Sequence, residues 1–316
     1  MRTARPLTAA SLTLASAVVL AGCATGSDDA DPAAAAAPET LTIEHAQGVT
    51  ELPANPETVI VLDLASLDTL DALGVEVAGV AKGNLPAYLA GYESDEYLDA
   101  GTLFEPDYTA IEAAAPDLII VANRSAAAYP ELAEIAPTVD LTLDWTDFLG
   151  SFETNTETLG EIFGVQDEAE AALTAIEDRI AETQDAAADA GSGLIVLTSA
   201  GEVTAFGPGS RFGWLHDELG VTPAIEDVEA ATHGDPVSFE FLLETDPDWF
   251  FVVDRDAATG EGTETAAQIL DNELVAQTSA WQSGQVVYLD PAPWYIVMSG
   301  ITAVNTMIDQ VQDGLS

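Results

Sequence analysis

From residue 40 onward, two hydrophobic patterns alternate along the chain. Short apolar runs that end at polar residues predict buried strands at 58–63, 117–124 and 193–199. Between such runs lie segments with helical spacing, and the one from Ser66 to Gly74 ends at a glycine, a common helix stop. Strands that alternate with helices are typical of mostly parallel sheets covered by helices, so the pattern predicts an α/β fold.

The longest helical pattern lies within residues 155–191. Leu173, Ile176 and Ile180 share one helical face, and good helix formers fill the positions between them. We predict one long helix that starts near Asp167 and ends by Gly191. The predicted organisation is an N-terminal α/β lobe (40–154), a connecting segment containing the long helix (155–191) and a C-terminal α/β lobe (192–316).

The two predicted lobes contain a repeated unit. Pro116–Arg124 and Pro247–Arg255 align without a gap, and both place Pro-Asp before an apolar strand and arginine after it. Ligands of parallel α/β sheets gather at the carboxyl ends of the strands. We therefore expect Arg124 and Arg255 to reach one cleft between the lobes. The alternative is that each arginine pairs with a nearby acid, such as Asp254 or Asp256.

The first 22 residues have the pattern of a secretory signal. Arg2 and Arg5 precede an apolar core from Leu12 to Leu20, which is too short for a membrane-spanning helix. The single cysteine, Cys23, ends the sequence LAGC, which resembles a bacterial lipobox whose cysteine carries the lipid; the alternative is a chance cysteine. The acidic Ala/Pro-rich stretch 23–39 predicts a flexible tether. We expect an exported protein, lipid-anchored on the extracytoplasmic face of the cell membrane.

Charge excludes one large class of functions. The chain has seven Lys+Arg against 55 Asp+Glu, and its formal net charge is −48. This balance rules out a nucleic-acid binder, which needs a basic surface. The acid excess indicates a salt-rich habitat, where screening weakens self-repulsion.

Several stretches together resemble one family. They are residues 101–124, 210–220, 232–256 and 286–295, together with the lipobox. The chain from about Thr40 to its C-terminus is similar to the substrate-binding lipoproteins of iron-siderophore ABC transporters, especially the branch that binds ferric catecholates, including petrobactin. The resemblance implies two α/β lobes joined by one long helix, as in class III periplasmic binding proteins. It implies a monomer that delivers a ferric siderophore to a permease with its ATPase, with no intrinsic cofactor.

The same resemblance implies a set of site residues. Arg124, Arg211 and Arg255 would line the cleft, while His233 and Tyr295 would ligate the iron of the bound siderophore. Guanidinium groups suit the anionic catecholate complex because they stay charged and form forked hydrogen bonds to paired oxygens. Imidazole and phenolate are reasonable occupants of the positions that a bis-catecholate leaves open on iron.

Each of these assignments has a structural alternative. His233 lies in a Gly/Asp/Pro loop and could be a solvated turn residue. Arg211 could pair with Asp217, and Tyr295 could be a core or rim aromatic. Trp294 either packs in the core or lines the pocket.

The remaining cations and histidines have other expected roles. Lys82 follows a strand-like run and is a further candidate cleft cation. His216 is expected to be structural and His45 exposed, while Arg179 is expected to pair with Glu182 on the helix surface.

Two features depart from the family pattern. Ala292 and Pro293 stand where relatives usually carry a bulkier aromatic, which affects pocket shape. Permease docking uses an acid on each lobe in this family. Glu240 fits the C-terminal position, but Thr109 occupies the matching N-terminal one, where Glu105 or Glu112 could substitute.

Other functions remain as alternatives. The same fold could bind haem or cobalamin, although three cleft arginines suit a compact polyanion better. A bare-metal site needs a cluster of ligands, and the chain has three histidines. The sequence contains no G-x-S-x-G, H-E-x-x-H or P-loop motif, so we do not expect an enzyme.

Overall fold

The computed structural model describes residues 40–225 and 234–316. It opens with a hairpin of β1 (Thr40–His45) and β2 (Gly48–Pro53). The N-terminal lobe follows, and all of its sheet pairings are parallel, in the strand order β5-β4-β3-β6-β7. These strands are β3 (Val59–Val61), β4 (Gly79–Val80), β5 (Leu98–Asp99), β6 (Leu118–Val121) and β7 (Thr138–Asp140). The predicted strands at 58–63 and 117–124 are confirmed.

The C-terminal lobe has a mixed sheet with the order β11-β9-β8-β12-β13, and β10 also pairs with β8. Its strands are β8 (Ser192–Ser199), β9 (Glu202–Phe206), β10 (Thr222–Pro223), β11 (Asp235–Val237), β12 (Trp249–Asp254) and β13 (Val286–Leu289). Unlike the N-terminal sheet, it contains antiparallel pairs, β8–β9 and β9–β11. The turn between β8 and β9 has positive φ at Ala200 (51°) and Gly201 (81°), which is the backbone that a two-residue hairpin favours.

Helices cover the two sheets and connect them. They are α1 (Leu64–Ala72), α2 (Tyr108–Ala114), α3 (Tyr129–Leu132), α4 (Phe148–Phe163), α5 (Gln166–Ala187), α6 (Trp214–Asp217), α7 (Phe239–Thr245), α8 (Arg255–Thr259), α9 (Ala266–Leu270), α10 (Ser279–Ser283) and α11 (Ile301–Leu315). Short 3₁₀ turns lie at 87–93, 126–128, 145–147 and 275–277, and a π-helical turn lies at 292–297. None of the helices in these described ranges is both long and apolar enough to cross a membrane.

The repeat predicted from sequence is present in the backbone. Helices α2 and α7 each end in a left-handed residue, Ala115 or Asp246, that leads through Pro-Asp into a central parallel strand. Asp117 then accepts a hydrogen bond from the amide of Thr58 (2.9 Å), and Asp248 accepts one from the amide of Ser192 (2.8 Å). Each aspartate thus fixes the start of the neighbouring strand in its own lobe, which explains why the Pro-Asp pair occurs in both.

The predicted long helix is confirmed as α5, with Leu173, Ile176 and Ile180 buried. It is preceded by a second helix, α4, which we did not predict separately; the two meet at Gly164, whose φ is +66°. The buried residues of α4 belong to both lobes: its first half packs in the C-terminal core and its second half in the N-terminal core. Helix α4 is therefore the element that bridges the lobes. The domain boundaries at 154 and 191 stay predictions.

Helix α11 is the second bridge, and one buried side chain of the other lobe caps it. Asp68 of α1 accepts hydrogen bonds from the amides of Thr302 (2.7 Å) and Ala303 (3.1 Å) and from the hydroxyl of Tyr88 (2.6 Å). A carboxylate at a helix N-terminus satisfies amides that have no partner within the helix. Burial nevertheless dominates and raises the pKa of Asp68 to about 6.

This pKa gives a testable pH dependence. Between the unfolded value of 3.8 and about 6, the native Asp68 binds a proton that the unfolded chain does not bind. Its contribution to stability is therefore gained as the pH falls through about 6 and is absent above it. Relative to Asp68→Asn, the wild-type protein should gain about 1 kcal/mol of unfolding free energy between pH 7 and pH 5.

Urea unfolding of both proteins in high salt measures this difference, because the titration of the other carboxylates is common to both. A parallel pH profile for the wild type and Asp68→Asn would contradict the assignment.

Candidate functional site

Three arginines from different parts of the fold meet around Tyr295. Arg124 lies three residues beyond β6, Arg255 directly follows β12, and Arg211 comes from the loop between β9 and α6. Arg124 donates to the carbonyl oxygens of Tyr295 (2.7 Å) and Ile296 (2.9 Å). Arg211 donates to the carbonyl oxygen of Tyr295 (2.9 Å), and Arg255 Nε donates to its phenol oxygen (2.9 Å). The two lobes thus bring their strand-end arginines to one residue.

The guanidinium groups also surround the aromatic ring. The guanidinium carbon of Arg211 lies 4.3 Å from the ring centroid of Tyr295, and those of Arg124 and Arg255 lie 5.8 and 6.0 Å from it. Such contacts stabilise a cation through the ring quadrupole. They help to hold the three positive groups close together around the tyrosine.

Electrostatics make this cluster receptive to an anion. Burial lowers the pKa of Arg211 to about 10, and repulsion from Arg124 and Arg255 adds to the effect. Burial also lowers the pKa of Arg124. Within the described ranges, the Nε of Arg211 is buried without a hydrogen-bond partner. A buried donor of this kind is costly until an acceptor arrives, so the site favours a negatively charged ligand.

Nearby acids compensate the cluster only in part. Arg255 Nη1 lies 3.9 Å from Asp256, and its Nη2 lies 3.6 Å from Glu261, so the alternative of a local ion pair exists for this arginine alongside the contact to Tyr295. Arg211 forms no ion pair with Asp217 in the described part of the chain, and that carboxylate accepts a hydrogen bond from the amide of Gly209 (2.7 Å). The hydrogen bond to Tyr295 is the main reason that the pKa of Arg255 is raised.

The backbone that carries Tyr295 is strained. Residues 292–297 form a π-helical turn, and Met298 follows with a φ of +72°. The amide of Ser299 donates to the carbonyl of Val297 (2.9 Å), which closes a γ-turn around Met298. Both geometries are uncommon and occur preferentially at functional sites. Here they direct two consecutive carbonyls, those of Tyr295 and Ile296, at the arginines.

Two cavities include an arginine of the cluster in their walls. The first, of about 420 Å³, contains Arg211, and the second, of about 450 Å³, contains Arg255. The lining of the first is Ala46, Thr142, Leu143, Asp144, Trp145, Thr146, Gly209 and Arg211. The lining of the second is Ala200, Gly201, Arg255, Asp256, Glu261, Gly262, Thr263 and Glu264. The described lining of the first is largely neutral and includes one aromatic residue, Trp145, whereas that of the second is acidic.

Two other predicted site residues, Trp294 and Lys82, make structural contacts. Trp294 is only 1% exposed, packs against Trp214 and donates from Nε1 to Gln310 (3.0 Å), so it is a core residue and not part of the cleft lining. Its place in the π-helical turn, next to Tyr295, directs it inward. Lys82 donates to the backbone carbonyls of Glu93 (3.3 Å) and Ser94 (2.8 Å), which gives its ammonium group a structural role at this loop.

The expectations for the other cations and histidines have mixed outcomes. His216 is buried and bonded to the carbonyl of Val221 (2.8 Å), which confirms its structural role. The expectation that His45 is exposed is wrong, because it is half-buried and packs against Tyr129. Arg179 does not pair with Glu182.

Arg179 instead binds Asn305 and Asp309 of α11, which packs against α5. A partner so far along the chain gives no local sequence signal. His233 and Cys23 lie outside the described residues, so their predicted roles as iron ligand and lipid attachment site stay predictions.

Glu240, which we expect to contact a permease, occupies a place in the C-terminal lobe equivalent to that of Thr109 in the N-terminal lobe. Thr109 and Glu240 are both the second residue of their helices, α2 and α7, and both are exposed. Glu105 and Glu112 are exposed nearby on the N-terminal lobe. Their role in docking stays a prediction.

Sequence reasoning missed one residue of this region, Trp145. It lies in the 3₁₀ turn 145–147 before α4 and lines the neutral cavity beside Arg211. A weak signal exists in the sequence, since a large aromatic follows the strand-end run "VDLTLD" in a polar segment.

Comparisons with known proteins agree with this geometry. The model of the periplasmic binding protein family matches residues 59–293. Over 312 residues the chain is 39% identical to the petrobactin-binding protein YclQ of Bacillus subtilis, covering 96% of this chain and 97% of YclQ. It is 34% identical to the ferric-anguibactin-binding protein FatB of Vibrio anguillarum, covering 87% of each chain.

Solved structures give the same result. The crystal structure of YclQ superposes with a TM-score of 0.86 and 40% identity, covering 88% of this chain and 99% of YclQ. The catecholate-siderophore binding protein VctP from Vibrio cholerae superposes with a TM-score of 0.83 and 34% identity, covering 87% and 100%. The two lobes, their strand order and these matches together lead to one assignment: the chain belongs to the periplasmic binding protein family.

Proposed function

We propose that this protein captures a ferric siderophore of the catecholate type in the cleft between its lobes and delivers it to an ABC permease for iron uptake. The observation that carries the proposal is the convergence of Arg124, Arg211 and Arg255 on Tyr295. It is supported by relatives whose names specify petrobactin, ferric anguibactin and catecholate siderophores. The protein is a binding protein and not an enzyme in this proposal, and the siderophore's iron is its cargo.

The chemistry of the cluster suits this ligand. A ferric catecholate complex presents pairs of anionic oxygens, and each guanidinium can donate two parallel hydrogen bonds to such a pair. Without ligand, Arg124 donates hydrogen bonds to the carbonyl oxygens of Tyr295 and Ile296. The incoming oxygens would replace neutral acceptors with charged ones, which strengthens each hydrogen bond.

The iron would complete its coordination with two protein groups. The phenol oxygen of Tyr295, which accepts a hydrogen bond from Nε of Arg255 (2.9 Å), is the first proposed ligand. His233 is the second proposed ligand. Haem and cobalamin remain alternative cargoes of the same fold, but no observation on this cleft favours a large flat macrocycle over a compact polyanion.

The proposal also includes a membrane anchor and a permease contact. Cys23 would carry a lipid that holds a monomer on the extracytoplasmic face of the membrane. Glu240 on one lobe and Glu105 on the other would contact the permease, which works with its ATPase. These acids are plausible contacts because both are exposed and lie near equivalent helices, α7 and α2.

Binding of the soluble domain, lacking residues up to Cys23, to a panel of ferric ligands tests the proposed cargo. The panel contains ferric complexes of a bis-catecholate, a tris-catecholate and a hydroxamate, together with haem. Binding of each is monitored by the quenching of tryptophan fluorescence at low and at high salt. We expect the tightest quenching with a catecholate. Tyr295→Phe and His233→Ala should each weaken bis-catecholate binding by about tenfold and change its iron charge-transfer band, because each removes an iron ligand.

Binding of haem alone would overturn the siderophore proposal. Tight catecholate binding that neither substitution changes would leave the arginines as the recognition element and remove Tyr295 and His233 as ligands.

The arginine cluster makes a second prediction, for Arg211→Met. Ligand affinity should fall about 10- to 100-fold, since a hydrogen bond to a charged group contributes roughly 1.5–3 kcal/mol. The Tm of the ligand-free protein should stay unchanged or rise, because repulsion is relieved and Arg124 still donates to the Tyr295 carbonyl.

Arg179→Met is the matched control. It removes the contacts that join α5 to Asn305 and Asp309 of α11, none of which involves Tyr295 or the arginine cluster. The Tm should therefore fall while ligand affinity changes by less than about twofold. Calorimetric titration and thermal unfolding measure both quantities. Equal affinity losses in the two variants would show that the effect is structural and not specific to the cluster.

A further inference from the structure

Trp145 occupies an unusual position for a surface-loop aromatic. It packs against the C-terminal core cluster and also lines the cavity of about 420 Å³ that contains Arg211. The side chain is half-buried, and it lies in a short 3₁₀ turn whose start is fixed by Asp144. A half-buried indole held by the core needs little ordering when a ligand arrives.

The wall of this cavity is nearly free of competing charge. Among the described residues that line it, Arg211 is the one cation and Asp144 the one acid. The Oδ1 of Asp144 already accepts hydrogen bonds from the amide (2.9 Å) and hydroxyl (2.6 Å) of Thr146. The printed hydrogen bonds of Arg211 both leave from Nη2, to the carbonyl oxygen of Tyr295 (2.9 Å) and the sulfur of Met298 (2.9 Å). The cavity therefore places an indole ring and a guanidinium group in one wall.

The second cavity has the opposite character. Its arginine, Arg255, shares the wall with Asp256, Glu261 and Glu264, and two of these acids lie within 4 Å of the guanidinium. The carboxylates of this wall would repel an anionic group, although Arg255 would attract it. Of the two cavities, the one at Trp145 is the better place for an arm that is both anionic and aromatic.

We propose that Trp145 is a specificity-determining residue: its indole stacks on an aryl arm of the ligand while Arg211 binds the oxygen atoms of that arm. This inference rests on the proposed function and names the side chain that would select a siderophore with aryl rings over an aliphatic carboxylate one. Stacking of a flat ligand ring on an aromatic side chain raises affinity by a factor of about 5 to 150 in protein–nucleic acid complexes. Aromatic pairs inside proteins gain less, a factor of about 2 to 13 beyond area burial.

The experiment compares Trp145→Leu, which removes the ring, with Trp145→Phe, which keeps one. The ligands are a ferric bis-catecholamide and ferric dicitrate, which is also anionic but has no aromatic ring. Trp249→Phe is the control, because Trp249 donates to the carbonyl of Ala190 (2.9 Å) at the far end of β12. Calorimetric titration of the soluble domain gives the dissociation constants.

We expect Trp145→Leu to weaken bis-catecholamide binding about tenfold or more, and Trp145→Phe by less than about threefold. Ferric dicitrate binding, where detectable, should change less than about twofold in every variant. Bis-catecholamide affinity in Trp145→Leu within twofold of the wild type would overturn the proposal, as would an equal loss for both ligands.

A second measurement avoids dependence on the folding of Trp145→Leu. In wild-type protein labelled with 5-fluorotryptophan, the ¹⁹F signal that disappears in Trp145→Phe belongs to Trp145. Addition of the diamagnetic gallium(III) bis-catecholamide should shift this signal more than the signal of Trp249. An unshifted Trp145 signal in a protein that binds the complex tightly refutes the stacking, whereas absence of any siderophore binding refutes the proposed function itself.

Discussion

Confinement of three guanidinium groups around one tyrosine is the constraint on which the site depends. The chain has seven basic residues against 55 acids, yet three of the basic residues lie within about 6 Å of one ring. Mutual repulsion and burial make this arrangement costly, as the lowered pKa of Arg211 indicates. The cost is tolerated because backbone carbonyls and the phenol occupy several of the donors. A charged ligand supplies better hydrogen-bond acceptors. The arginine cluster therefore lowers the stability of the ligand-free protein but favours ligand binding.

The fold explains how two lobes contribute to one cluster. Each lobe has a central parallel strand, β6 or β12, and an arginine beyond its carboxyl end. The strained turn at 292–298 then places Tyr295 between these arginines. The acidic surface around the cleft has the opposite sign from the cluster, and its long-range repulsion of an anion is weakest in high salt.

Residue spacing along the chain predicted the strands, the long helix and the residues at the strand ends. The repeat around Pro116 and Pro247 predicted the two arginines and their strand ends because Pro-Asp, apolar run and arginine occur at fixed spacing. The orientation of Trp294 could not be predicted, since it depends on a π-helical turn that shifts side-chain directions away from helical periodicity. The partner of Arg179 lies more than 120 residues away and depends on the packing of α5 against α11. The role of Trp145 depends on a cavity formed by three separate loops.

The hydrogen bonds of Asp68 have a consequence for folding. Helix α11 belongs to the C-terminal lobe, yet its first amides are capped by an N-terminal carboxylate, and a Cβ at position 300 would lie 2.8 Å from that side chain. Helix α4 contributes buried residues to both cores. Neither lobe therefore has a complete core or complete helix caps alone. The two lobes are therefore not independent folding units. The described chain should unfold in a single cooperative transition, and a fragment containing one lobe would not be a stable domain.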